Sequence, residues 1–272
     1  MQKTFDLANK YIILTTPLIL YSLFSSIYLI VSADGNKLIS LIFALLLFVL
    51  MTSAFIAGWF KMIKLAITEP ERENYNSLIK EFPAGVGEYF LSSLGGLILV
   101  FVFITLLLIA SYFAGNATIG DPNVSAKALA EAFQTPETLR AFLLTLSPEQ
   151  ALKISQWNVL ILSTITLGYF SVMLYFPAMF FKNKNPFIAF YISLKNLFSK
   201  HILKTAGIFL LIYVINFFIS VLSALTAKLA IMHFIITLAN FYFITVASIG
   251  IFYYYNTTFV ENQIGKNVDM KI

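Results

Sequence analysis

Leu91–Phe113 reads LSSLGGLILVFVFITLLLIASYF, and this stretch decides the fold class. It contains no Asp, Glu, Lys or Arg, and its few serines, glycines and one threonine do not line up into a polar face. About 20 such residues in a helix cross a hydrocarbon core about 30 Å thick. Barrel strands alternate between lipid and lumen every second residue, and this run does not alternate. With no water to meet its backbone, only a helix satisfies each N–H and C=O within the segment.

Working outward, five further runs have the same character: Tyr11–Val31, Leu38–Phe60, Trp157–Phe181, Leu203–Leu225 and Ile231–Tyr255. Lys204, at the edge of the fifth, is their one basic or acidic interruption. The composition agrees: of 272 residues 59% are hydrophobic and 11% charged, with 28 Phe and 14 Tyr. Soluble domains carry about a quarter of their residues charged, so this chain cannot clothe itself for water. The expected fold is all-α, a polytopic membrane helix bundle forming a single transmembrane domain over 1–272. It has six transmembrane helices, two cytoplasmic interfacial amphipathic helices and a helical outer loop.

The net charge of +5 follows the loops. Thirteen Lys and Arg fall on one side of this topology, among them Lys61, Lys64, Arg72, Lys182, Lys184, Lys195, Lys200, Lys266 and Lys271, and five on the other, including Lys37 and Lys228. The positive-inside rule then places both termini in the cytoplasm of a bacterial inner membrane. Trp59 and Tyr253–Tyr255 at inner ends, and Tyr112 and Trp157 at outer ends, read as interfacial anchors. The first span is longer than a signal-peptide core of 7–15 residues, so it is expected to be retained.

Two inner segments carry helical stripes. After a break at Glu69–Pro70, Tyr75, Leu78, Ile79, Phe82, Val86, Tyr89 and Phe90 recur at i, i+3, i+4 and i+7. Between spans four and five, Phe187, Phe190, Tyr191, Leu194, Leu197, Phe198 and Ile202 do the same, with Asn185 as cap and Pro186 in the first turn. Both read as helices lying on the cytoplasmic interface. The second loop is basic without an acid, so anionic headgroups are expected at Lys195, Lys200 and Lys204. The outer loop, 114–156, pairs Thr135 and Ser147 with a following proline and predicts short helices near 124–133, 137–146 and 149–155.

Ala57-Gly58-Trp59-Phe60-Lys61, followed by Phe82-Pro83-Ala84-Gly85-Val86-Gly87 and Tyr89-Phe90, resembles uncharacterised bacterial polytopic families. These are the YciC-like proteins and the membrane domains associated with glycerophosphodiester phosphodiesterases. Asn185–Phe190 before a basic amphipathic run looks like their second loop. The resemblance implies a bacterial inner-membrane protein and brings no catalytic residues with it.

Chemistry-bearing signals are sparse. There is no cysteine, which removes disulfides and thiolate sites, and no H-E-x-x-H, G-x-S-x-G or phosphate-loop pattern occurs. His201 and His233 lack the partners of a metal site. No catalytic, cofactor or metal residues are therefore assigned, and no enzyme activity is expected. The polar groups inside the spans are neutral, Thr15, Thr16, Asn216 and Asn240 foremost. Asn216 and Asn240 lie at similar depth and could share an interhelical hydrogen bond. Pro17 would free a carbonyl within the first span. Packing through Ala54/Gly58, Ser111/Gly115 and Thr164/Gly168, or a pathway through Thr15, Thr16, Asn216 and Asn240, both account for these residues. The expected role is a non-enzymatic membrane-organising protein that binds lipid or partner proteins, the alternative a transporter or channel component for an uncharged or lipid-like substrate. Its partners are membrane lipids and other proteins or further copies of itself, not nucleic acid.

Overall fold

The computed structural model describes residues 2–33, 38–69, 75–132 and 134–261. Among them are eleven α-helices and no strand. Six helical segments are long and apolar enough to cross a membrane: Ile12–Ile30, Leu41–Thr68, Ser77–Thr118, Pro148–Phe181, Ile202–Thr226 and Ala230–Glu261. The all-α, six-span class therefore holds. Lys37, Arg72, Lys266 and Lys271, which entered the charge asymmetry, lie outside the described residues, as do Pro70 of the expected break and Phe133 at the end of the first outer-loop helix.

The chain forms two compact units, one of residues 1–99 and 171–272, the other of 100–170. In the first, α1 (Gln2–Lys10) leads through a 3-10 turn at Ile12–Leu14 into α2 (Thr15–Ala33). The turn has a physical clasp: the Trp59 indole N–H donates to the Leu14 carbonyl over 2.7 Å in a buried setting. A backbone acceptor freed by the change of helix type would otherwise be costly in hydrocarbon. Trp59 is thus part of the core (4% exposed) and not the interfacial anchor its position suggests. Pro17 falls in the first turn of α2, where an amide donor has no intrahelical partner anyway, so it does not open the span's middle.

Next come α3 (Leu38–Thr68) and α4 (Tyr75–Thr118), the latter 44 residues with Pro83 inside. The first expected interfacial helix is therefore the lower part of α4, continuous with the third span. Its stripe faces α3 rather than headgroups: Leu78 and Tyr89 are buried, and the Phe82 ring lies against Gly58. α5 (Ala126–Ala132), α6 (Pro136–Thr145) and α7 (Pro148–Val172) follow, and the fourth span breaks before α8 (Tyr175–Phe181).

The second inner segment does form a separate helix, α9 (Pro186–Leu197), capped as expected by Asn185 Oδ1 accepting from the amides of Phe187 and Ile188. Ala189, Ser193 and Leu197, four residues apart, face inward, while Phe187, Tyr191 and Phe198 stand out. α10 (Ile202–Thr226) and α11 (Ala230–Tyr255) complete the unit, and α11 continues as a π-helical turn, Asn256–Glu261. Tyr254 and Tyr255 are buried latches rather than interfacial anchors. Tyr254 OH shares a 2.8 Å hydrogen bond with Thr205 Oγ1, and Tyr255 OH accepts from Asn196 Nδ2 at 3.0 Å.

In the unit of 100–170, small residues set the helix contact. Ser111 and Thr164 share a 2.6 Å hydroxyl bond. A Cβ on Gly115 would lie 2.3 Å from the Trp157 ring, so glycine alone admits the indole there. Trp157 Nε1 then donates to Gly120 O at 3.0 Å, tying the turn after α4 to α7. The caps expected from Thr135 and Ser147 are both present. Thr135 Oγ1 accepts from the Thr138 amide, and Ser147 Oγ from the Gln150 amide.

Candidate functional site

The most concentrated chemistry sits where α3 crosses α4. The crossing is close because it is glycine on both sides: a Cβ on Gly85 would lie 2.6 Å from Lys61 Cβ and 2.8 Å from the Ala57 carbonyl oxygen. Membrane helices gain little from burying apolar surface against each other and associate through such backbone proximity. Three residues beyond each glycine, one helical turn along, stand Lys61 and Glu88. Lys61 Nζ meets Glu88 Oε2 at 2.7 Å, and Lys184, from the turn between α8 and α9, meets Glu88 Oε1 at 2.7 Å. One carboxylate thus joins three elements.

Tyr89 forms the wall of this junction. Its ring stacks on Phe180 at 4.3 Å. Lys184, Lys61 and Lys64 lie 4.9, 5.8 and 5.9 Å from the ring centroid, and Lys64 Nζ donates to the phenol oxygen at 3.3 Å. Cations favour such a ring face. Beneath it, Phe60 packs against Phe176, Phe180 and Phe252. Three lysines against one carboxylate leave the junction positive, so it can hold an anionic oxygen beside an aromatic wall. Charge counting along the sequence missed it, since Lys61, Lys64 and Lys184 read as orientation charges and Glu88 as one loop acid among several. The available signal was the shared register, glycine followed three residues later by an opposite charge on two helices.

The residues singled out from the sequence lie elsewhere. Lys195 and Lys200 are exposed around the end of α9, and Lys204 lies over the Tyr254 ring at 5.3 Å. Thr15 is buried with its hydroxyl unpartnered. Thr16 lines an apolar cavity of ≈ 460 Å³ among α2, α3 and α4, together with Pro17, Phe24, Met51, Phe55 and Phe82. That cavity can accept an acyl chain. Asn216 is exposed, and Asn240 Oδ1 is buried without a partner, so the interhelical amide pair does not form. Asn240 lines a second cavity that shares no residue with the first. The His201 ring packs edge-on against Phe259.

Comparison with known proteins decides the relationship. The family model described as the FlhB HrpN YscU SpaS Family matches residues 29–229, most of the chain. The chain belongs to that family. Its members are bacterial inner-membrane components of protein export, of the type III secretion and flagellar kind. This corrects the resemblance to YciC-like and glycerophosphodiester-phosphodiesterase-associated membrane domains. That likeness rested on Gly58, Pro83 and Gly85 and on loop pattern, and a close helix crossing demands small residues in any membrane protein. No curated protein matches the chain, and no solved structure does. Six spanning-length helices and the family together make it an integral membrane protein of the bacterial inner membrane.

Proposed function

We propose that this chain is a non-catalytic subunit of a bacterial protein-export assembly, holding neighbouring membrane subunits through α10. Its termini face the cytoplasm, as the distribution of Lys and Arg favours. One observation carries the docking role. Thr205 is the buried residue of α10, and its exposed positions include the Asn216 amide, about 21 Å along the helix at 1.5 Å per residue. An amide held at that depth against lipid tails is unfavourable and finds its best partner on another protein helix. The Lys61–Glu88–Lys184 junction supports the role by bracing α3, α4 and the turn between α8 and α9 as one scaffold. The apolar cavity among α2, α3 and α4 is suited to hold a lipid chain at its side.

The test places a photo-crosslinking amino acid at Phe217, beside Asn216, in native membranes. Adducts with another export-apparatus membrane protein, absent when the probe is moved into the buried face at Ile63, support the proposal. Crosslinks to lipid alone would overturn the docking role.

A further inference from the structure

Between the far ends of α10 and α11 lies the second cavity, ≈ 380 Å³, whose lining mixes polar side chains with Ile219, Ala224 and Ile236. Ser220, Ser223 and Ala227 contribute at i, i+3 and i+7 from α10, and His233, Thr237 and Asn240 at i, i+4 and i+7 from α11. Those spacings keep each set on one helix face. His233 Nδ1 and Asn240 Oδ1 are both buried with no hydrogen-bond partner, and Thr237 Oγ1 donates to the His233 carbonyl, leaving lone pairs to accept. No Asp, Glu, Lys or Arg lines the cavity.

The polar groups also have an order. His233 and Ser223 lie one turn from the Ala227–Leu229 connection, Thr237 and Ser220 about one turn further, and Asn240 deepest, about 15 Å from the start of α11 at 1.5 Å per residue. A hydrogen bond made only between two buried helices needs one level of polar residues. A line of acceptors that starts at the membrane surface and stops at mid-depth is what a solvated crevice needs. The volume admits on the order of ten waters.

We infer that α10 and α11 enclose an aqueous half-channel, entered at the Ala227–Leu229 turn and closed at Asn240, that takes water and small uncharged hydrogen-bonding solutes to the middle of the bilayer. A lining without Asp, Glu, Lys or Arg suits an uncharged guest. This inference is independent of the docking role of α10.

The chain's lack of cysteine makes the experiment direct. Single variants Ser220→Cys, Ser223→Cys, Thr237→Cys and Ala227→Cys are reconstituted in liposomes and treated with a charged, membrane-impermeant methanethiosulfonate. Val221→Cys and Leu238→Cys, exposed neighbours at the same depths, report the lipid-facing rate. A thiol in hydrocarbon does not form the thiolate that reacts, so Ser220→Cys and Thr237→Cys should be modified at least about 100-fold faster than Val221→Cys and Leu238→Cys. Their rates should fall within about tenfold of Ala227→Cys at the mouth. Glycerol should slow Thr237→Cys and leave Ala227→Cys unchanged, which reads the solute separately from water. If Ser220→Cys and Thr237→Cys react as slowly as their lipid-facing neighbours, the half-channel is refuted. A glycerol effect equal at both sites refutes the solute part alone. Should one variant fail to insert, Ser223→Cys, at the shallower level, takes its place against the same controls.

Discussion

Two helix pairs of the same unit solve the same problem in opposite ways. α3 and α4 meet backbone to backbone at Gly58 and Gly85, with Trp59, Met62 and Ile63 buried and an ion pair locking the next turn. α10 leaves most of its residues exposed, its one buried residue, Thr205, bonded to Tyr254 near the start of the helix. The spans of both pairs are apolar enough to cross a membrane, so mean apolarity does not separate them. Small residues at the crossing do. A lipid-facing side chain is no worse solvated than a buried one, and only close packing or a polar bond favours burial.

That contrast is most easily broken with valine. Gly85→Val drives a side chain into the Lys61 stem and the Ala57 carbonyl, and is expected to cost about 3 kcal/mol, at the upper end for overpacking. Gly207→Val on α10, where a Cβ meets nothing within 4 Å, should shift stability by less than about 0.5 kcal/mol. Thermal unfolding in detergent reads both. Equal losses would mean that the two helix pairs are not packed differently.

The charged turn comes next in size. Glu88→Gln removes the negative charge and one of the two oxygens that accept from Lys61 and Lys184, and leaves three lysines around Tyr89. It should destabilise by about 1–2 kcal/mol, between the values for an exposed ion pair and for hydrogen bonds to charged groups, and the loss should shrink at high salt because the carboxylate is partly exposed. A wild-type midpoint in the Glu88→Gln protein would reduce the junction to an incidental surface pair.

How much of this was legible depends on which physics each feature uses. The spans were legible because hydrocarbon reads composition alone: Leu91–Phe113 announces itself without a neighbour. The caps at Thr135, Ser147 and Asn185 were legible because a cap is a local bond. Pro83 was not, since a proline within α4 is tolerated only where an adjoining helix supports that stretch, and α3 is the support. Trp59 and Tyr254 were misplaced because an aromatic at a span's end looks the same whether it meets headgroups or a carbonyl from another helix. The Lys61–Glu88–Lys184 junction lies on three separated segments, and no spacing along the chain links them.

At the exposed α9 end, Lys195→Gln with Lys200→Gln should weaken binding to anionic vesicles by about 1 kcal/mol for each lysine, roughly a thirtyfold loss together, and leave binding to neutral vesicles unchanged. Such a loss separates lysines that touch headgroups from Lys61 and Lys184, whose charge is already engaged by Glu88. Undiminished binding would shift the lipid contact away from α9.

The smallest expected effect sharpens the comparison most. Asn216→Leu removes an exposed amide from α10 and breaks no bond seen within the chain, so the isolated protein should unfold within about 0.5 kcal/mol of wild type. It should even gain slightly in lipid, where leucine is the better-solvated side chain. In native membranes the same substitution should release the neighbouring export subunit, because the partner's polar group would then face hydrocarbon alone. Stability and association respond oppositely only if the amide serves another molecule. A fall in both would make Asn216 an internal support of α10, and the open helix would then be a lipid-facing surface like any other.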